Sequence, residues 1–496
     1  MRKYPIFILV LISFIFACSC NNDDAQNNIY YTVTINTDEG GTVNLTSGEY
    51  LSGTTLEVTA SPLEGYSFDG WDGDIVDTNP TISFEVSGAI SINANFSETV
   101  TISENVVVLN EDLIDDSGYI FAIENGQNTC YLLDHFGNKV FTWEFDDVLG
   151  QDIEITTDGT VLGLFKASNP EITFGGQAGL IREIDKDGTI LWEYELSTTN
   201  EITHHDLTKL PNGNVLALVW ERIPNADAVA VGLNKSTDIF TEKLIEIDPS
   251  TDTIVWEWRS WEHIVQDFDE NLDSFGDPSV EKNKINIRHA NSIEHQFAEI
   301  GDIMHSNGLD YLPEQDIIVL SINFYSEVWF IDHSTTTAEA KTETGGQFNR
   351  GGDLLYRFGN QKVFGDLNAS SIFDYNHHPT FVNTNGELSL LIFNNNEIAG
   401  QSSAMEFRLP TINGSTTIGG DPELLFEFTD ANLFNPRISG ADRLPNGNTL
   451  ICEGDYGFWE VTPAGEVVWK YDGNGIPFWR GIFYSKDSDE ILSLGI

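Results

Sequence analysis

At 496 residues the chain is longer than one ordinary hydrophobic core serves, so it needs two or more domains or a repeat architecture. A hydrophobic content of 40% with 11% aromatics excludes global disorder, and 31 Phe with 11 Trp favour β-structure. The formal charge of −54 excludes nucleic acid as a partner and electrostatic docking on anionic lipid, and any anionic substrate must find a locally cationic or well-hydrogen-bonded pocket.

Residues 1–17 read as a processing signal. Met1, Arg2 and Lys3 form a basic start, and the apolar run after them is too short to span a membrane comfortably. The run closes on ACSC at 17–20, and a small residue before Cys resembles the bacterial lipobox. IFAC at 15–18 makes Cys18 the expected lipidation site, with Cys20 as the alternative and plain signal-peptide cleavage as the other reading. Removing 1–17 loses Arg2, Lys3 and no acid, which takes the charge from −54 to −56. The expectation is an exported protein, lipid-anchored to the outer membrane and displayed at the cell surface through a polar tether over 18–29. Beyond the lipobox stand only Cys130 and Cys452, which fit either a disulfide or two buried free thiols.

Over 30–98 the pattern is of short alternating strands. YTVTI at 31–35, LEVTA at 56–60, ISFEV at 82–86 and ISINANF at 90–96 place apolar side chains at every second position, with glycine and proline turns between. GYSFDGWDG at 65–73 and the closing ANF resemble the divergent internalin-type B-repeat of bacterial surface proteins, which implies a spacer or adhesive stalk. Trp71 reads as a core aromatic, the alternative being a glycan-stacking surface.

From residue 117 to 496 a different unit recurs. LDHFGNKVFTW at 133–143, IDKDGTILW at 184–192, IDPSTDTIVW at 247–256 and VTPAGEVVW at 461–469 each place a turn between two strands, the second carrying Trp. A second hairpin appears as LPNGNVL at 210–216 and LPNGNTL at 444–450, with LPEQDII at 312–318 as a degenerate copy. Alternating the two hairpins gives four strands per unit, which predicts an all-β, six-bladed β-propeller behind a small N-terminal β domain. The strand around 480–484 is expected to join 118–123 and close the ring, leaving no exposed edges. Residues 261–302 and 334–352 are long for connections within a blade and read as lids or interface loops.

Histidine is the chemical signal. His204 and His205, His305, and His377 and His378 all stand at the start of a predicted first strand, and the first strands of a propeller line its axis. Imidazoles far apart in sequence are thereby gathered into one pocket. Such a cluster suits Zn²⁺ or Cu, or else nucleophilic catalysis in which one neutral imidazole attacks while others hold an oxyanion. Unrelated buried histidines bonded to backbone are the bland alternative.

The stretches HHDLTKLPNGN at 204–214, MHSNGLDY at 304–311, EVWFIDHSTTTAEA at 327–340, GGDLLYRFGN at 351–360, NHHPTFV at 376–382 and SGADRLPNGNTL at 439–450 resemble the bacterial arylsulfotransferase family. The resemblance implies an enzyme that moves a sulfuryl group from a phenolic sulfate ester to a phenol through a sulfo-histidine, with no nucleotide, other cofactor or metal. The nucleophile falls on His377, and His205, His305 and Asn307 match the residues that bind the sulfuryl oxygens. Where the family commonly has arginine, alignment on Ser326 and Glu327 puts Asn323, so a bidentate permanent charge is lost. Arg357 and Arg480 are the candidates to replace it, and His378 would compensate in part when protonated. Phe324 and Tyr325 are expected to hold the aryl groups. Partners so implied are a small phenolic sulfate donor, a phenol acceptor and a membrane reached through the lipid, with room for a homodimer. A non-catalytic binding or adhesion propeller on a β stalk is the alternative, and a His-cluster metalloenzyme the third.

Overall fold

The computed structural model describes residues 28–99, 101–384, 386–411 and 422–496, so the signal segment and Cys18 lie outside the described residues. Two compact units divide between Thr101 and Ile102. In the first, a four-stranded sheet runs in the order Gly48–Leu51, Tyr30–Thr37, Ile90–Glu98, Tyr66–Gly73, and a three-stranded sheet in the order Gly41–Val43, Thr55–Pro62, Thr81–Glu85. Alternation places Val33, Ile35, Leu56, Val58, Ile82 and Ile92 on one inner core. Trp71 is only 2% exposed and donates Nε1–H to the Asn79 carbonyl, so it is a core residue and presents no face to a glycan.

The second unit is a succession of antiparallel meanders with the hairpins read from the sequence. Ile190–Glu195, Gly179–Ile184, Val161–Lys166 and Leu149–Ile155 form one, and Glu201–Lys209, Val215–Ile223, Ile239–Asp248 and Thr253–Arg259 the next. A single parallel pairing of Gln151 with His205 joins these two. Ser306–Leu312 leads a third meander ending in Tyr356–Phe358, Asn376–Thr384 a fourth ending in Glu423–Phe428, and Gly440–Arg443 a fifth ending in Val467–Asp472. Val106–Leu109, ahead of residue 117, adds an outer strand to that fifth sheet. Phe478–Ser485 pairs with Gly118–Glu124, so both ends of the unit share one sheet, as the sequence pattern requires.

The leading strands pack on one another in chain order, and Phe478–Ser485 packs back against Leu149–Ile155. A carboxylate clasp recurs between them. Glu154 accepts from the Lys209 N–H at 2.7 Å, Asp206 from Leu309 at 2.8 Å, Asp310 from Phe381 at 2.7 Å and Asp442 from Phe483 at 3.0 Å. The repeating tryptophans knit the outer parts: Trp192 donates to Asp252, Trp256 to Thr335 and Trp469 to the His135 carbonyl, each bond reaching the neighbouring meander. Cys130 and Cys452 are buried free thiols.

Candidate active site

Four of the leading strands are irregular where they begin: the ladder shifts register between Leu149 and Ile153, Thr203 and Leu207, Ser306 and Gly308, and His377 and Thr380, whereas Gly440–Arg443 pairs without a shift. His205, His305 and His378 sit in the left-handed region at φ of 52°, 54° and 53°. For non-glycine residues each such conformation costs on the order of 1–3 kcal/mol and persists only where the surroundings enforce it. The bulges turn side chains out of the ladder, and His205, His305 and His377 converge with Asn323, Phe324 and Trp479 on a cavity of about 320 Å³.

His377 is 2% exposed. Its Nδ1 lies 2.6 Å from Asn395 Oδ1, and Asn395 commits its amide hydrogens to the Asn435 and Ile438 carbonyls. The amide oxygen must therefore accept, His377 carries its proton on Nδ1, and Nε2 keeps the lone pair. Burial is the main cause that pushes this imidazole down to about 3. The Asn395 bond acts the other way, and the charges of His305 and Arg480 push it down further.

His205 has its Nδ1 2.9 Å from the Nδ1 of His204, whose Nε2 lies 3.1 Å from buried Glu242. Burial first, then the neighbouring His305, holds His205 well below the usual imidazole value. Gly176, at φ +91°, underlies its ring: a Cβ there would come within 2.1 Å of Nε2. His305 bonds through Nδ1 to fully buried Asp302 at 2.5 Å, and Asp302 also accepts from the His305 N–H at 3.1 Å. Its ring stacks on Phe324 at 4.7 Å between centroids and meets His205 edge-on at 4.6 Å. The fixed Nδ1 leaves Nε2 of His305 as the nitrogen free to exchange a proton.

Not every expected residue lines this cavity. Asn307 is buried beneath it, donating to the Asn376 carbonyl at 2.9 Å. His378 turns its ring against Gly440, where burial and then the Arg480 charge hold it well below the usual value. A protonated His378 is therefore not the compensating charge. Asn323 lines the cavity while donating to the Asn376 carbonyl at 3.2 Å. Tyr325 is wholly buried and reaches the Asn286 carbonyl, so of the two aromatics only Phe324 meets the cavity.

Neither expected arginine lines the cavity. Arg357 forms a buried pair with Glu327. Arg480 binds Asp152 at 3.1 Å, Asp206 at 2.8 Å and the Asn307 carbonyl at 2.9 Å, below Trp479. Sequence reasoning passed over Asp302, Asn395, Gly176, Trp479 and Arg437, of which all but Asp302 and Asn395 line the cavity directly. The doublet Gly175-Gly176 and the acid three residues before His305 are the only signals that pointed to any of them. The insertion over 261–302 supplies one wall through His295, Gln296 and Phe297. Among the described residues no group of three or more His, Cys, Asp or Glu is arranged to hold a metal ion.

In an acidic protein, the neutral imidazoles of His205 and His377 on an aromatic-walled cavity suit nucleophilic transfer to an anionic ester. Comparison with known proteins gives a consistent result. No curated protein matches the chain in sequence. Solved structures that align with it include a putative 6-phosphogluconolactonase from Bacteroides fragilis (12% identity, 75% of this chain and 99% of that one, TM-score 0.37). The β-propeller domain of Swd1 from Myceliophteria thermophila aligns at 10% identity over 77% of this chain and 97% of that one, with TM-score 0.36. The Dos1 propeller aligns at 11% identity over 89% and 81%, with TM-score 0.31. Likenesses this faint add nothing to the argument from strand pairing. The model of the divergent InlB B-repeat domain matches residues 31–100. That of the arylsulfotransferase (ASST) matches 97–416, well over half of the chain, and includes every histidine of the cavity. The chain belongs to the arylsulfotransferase family, whose membership supports sulfotransferase activity in general and implies phenolic substrates.

Proposed function

We propose that this chain moves a sulfuryl group from a phenolic sulfate ester to a phenol through a sulfo-histidine on His377, within a closed six-bladed propeller. The observation that carries the reading is His377 itself: a neutral imidazole on the cavity wall whose Nδ1 proton is held by Asn395, leaving Nε2 as nucleophile. In the first half-reaction Nε2 attacks sulfur in line, an N–S bond forms, and the S–O bond to the aryl group breaks. The departing phenolate takes a proton from His305. In the second half the acceptor hydroxyl gives its proton back to His305 Nε2, its oxygen attacks sulfur, and the N–S bond breaks. Asp302 keeps the His305 ring oriented for both transfers. Phe324 and Trp479 offer flat apolar walls to the aryl rings.

Incubation with 4-nitrophenyl sulfate, following nitrophenolate release and intact mass, tests this. A burst with a sulfuryl adduct, lost in His377→Ala and retained in His378→Ala, is the expected result. Dependence on His378 instead would move the nucleophile by one residue. No release and no adduct across several phenolic sulfates would sink the reading and favour a non-catalytic binding propeller, toward which the loss of arginine at Asn323 points.

The chain is further proposed to be held at the outer membrane by acylation of Cys18, with 30–98 as the spacer between lipid and propeller. Metabolic labelling with a palmitate analogue, abolished in Cys18→Ser, is the check; label that persists there and vanishes in Cys20→Ser would shift the site.

A further inference from the structure

The cavity has a charge problem. An aryl sulfate is a permanent anion, the protein carries −54, and the position that would hold arginine is Asn323. The imidazoles of His205 and His377 are kept neutral by burial. Arg357 is committed to Glu327, and Arg480 to Asp152 and Asp206. Among the described residues lining the cavity, one bears a permanent positive charge: Arg437.

Its backbone is built into the same scaffold as the nucleophile. The Arg437 and Ile438 N–H groups both donate to Asn435 Oδ1 at 3.0 Å, and the carbonyls of Asn435 and Ile438 accept the two amide hydrogens of Asn395. Asn395 in turn bonds His377 at 2.6 Å, and the Arg437 carbonyl faces the same imidazole. Two linked buried amides, Asn395 and Asn435, thus fix the His377 ring and the root of the Arg437 side chain. The guanidinium, by contrast, is loosely held. It is 67% exposed and, among the described residues, meets only Asp455, at 3.1 Å, which is itself 46% exposed. An exposed pair of this kind is weak and readily exchanged, whereas a guanidinium fork on a sulfate makes two charge-assisted bonds at once.

We infer that Arg437 is the sulfate clamp of this chain: on donor entry its guanidinium leaves Asp455 for the sulfuryl oxygens, supplying from residues 435–438 the charge that Asn323 does not. The inference rests on the sulfuryl-transfer reading for its substrate. It adds that the anion is gripped from the rim of the cavity by a mobile cation, in competition with an internal carboxylate.

The test measures 4-nitrophenyl sulfate binding by calorimetry on the full chain carrying His377→Ala, where no turnover intrudes, alongside steady-state kinetics on chains with His377 intact. Arg437→Ala is expected to weaken donor binding and raise KM about 10-fold or more, with Arg437→Lys recovering part of the loss because it restores charge without the fork. Asp455→Asn is expected to tighten binding about twofold to fivefold by freeing the guanidinium, and to do nothing once Arg437 is alanine. Arg437→Ala within twofold of its parent, or an Asp455→Asn gain that survives in the double variant, would overturn the clamp while leaving the transfer reading intact. A chain that binds the donor through Arg437 yet yields neither nitrophenolate nor adduct would keep the clamp and sink the transfer. A parent chain that binds no donor would overturn both.

Discussion

The leading strands of the second unit have two ends with opposite characters. Where they begin, the ladder is bulged, His205 and His305 are left-handed, and polar rings face a cavity. Beyond the bulges the strands run in regular register, and carboxylates clasp the next strand's backbone: Asp206 from the bulge itself, Asp310 two residues past one, and Asp442 from an unshifted strand. The contrast teaches that the irregular end is affordable because the regular end is overdetermined. Strained backbone persists only where its surroundings fix it, and the Asp206 and Asp310 clasps tie the bulged strands to their neighbours within a few residues of His205 and His305.

That contrast can be broken from either end. The largest effect is expected from His377→Ala, which should lower aryl-sulfate turnover about 10³-fold or more while leaving the unfolding midpoint near that of the parent. Arg480→Met attacks the junction of the two ends. It strands Asp152 and Asp206 in a buried setting, and should cost about 3–5 kcal/mol in denaturant unfolding. Gly176→Ala should displace the His205 ring and lower turnover about 10²-fold, with most of the stability kept.

The smallest effect sharpens the comparison through pH. Burial pushes the clasp carboxyl of Asp310 up to about 7 and that of Asp442 up to about 6. Folded values above the unfolded carboxylate range mean that their contribution is full below about pH 4 and is lost as pH rises through 6 and 7. Each proton so linked contributes a slope of about 1.4 kcal/mol per pH unit within that window. Asp442→Asn should flatten the fall in stability between about pH 4 and 6 in urea titrations at stepped pH, at a cost of about 1 kcal/mol for the acceptor it loses. An unchanged slope would show that Asp442 takes up no extra proton in the folded state.

The regular end was the more legible in sequence. Turn chemistry at 133–143, 210–216 and 444–450 sets hairpins locally, so the meanders and the pairing of 478–485 with 118–124 could be anticipated. The histidines were legible as a set because hairpin spacing puts them at strand starts. What stayed hidden is what holds them. Asn395 is 18 residues from His377, Trp479 comes from another sheet and Arg437 from the loop ahead of Gly440–Arg443, so only tertiary packing brings them together. The expectation that Arg357 or Arg480 would replace the missing arginine failed for one physical reason: a buried guanidinium must be neutralised where it lies, and Glu327, Asp152 and Asp206 do so. Likewise the pocket role given to Tyr325 yielded to a core position, its hydroxyl bonded to Asn286.

The pairing of Phe478–Ser485 with Gly118–Glu124 also dictates an order of events during synthesis. The sheet begun by residues 118–144 waits, one strand short, until about 340 further residues have left the ribosome. The same late strand brings Trp479 to the cavity wall and Arg480 to its buried acids. A nascent chain stopping short of 478 therefore carries every cavity histidine and still lacks the Trp479 wall and the cation that neutralises Asp152 and Asp206.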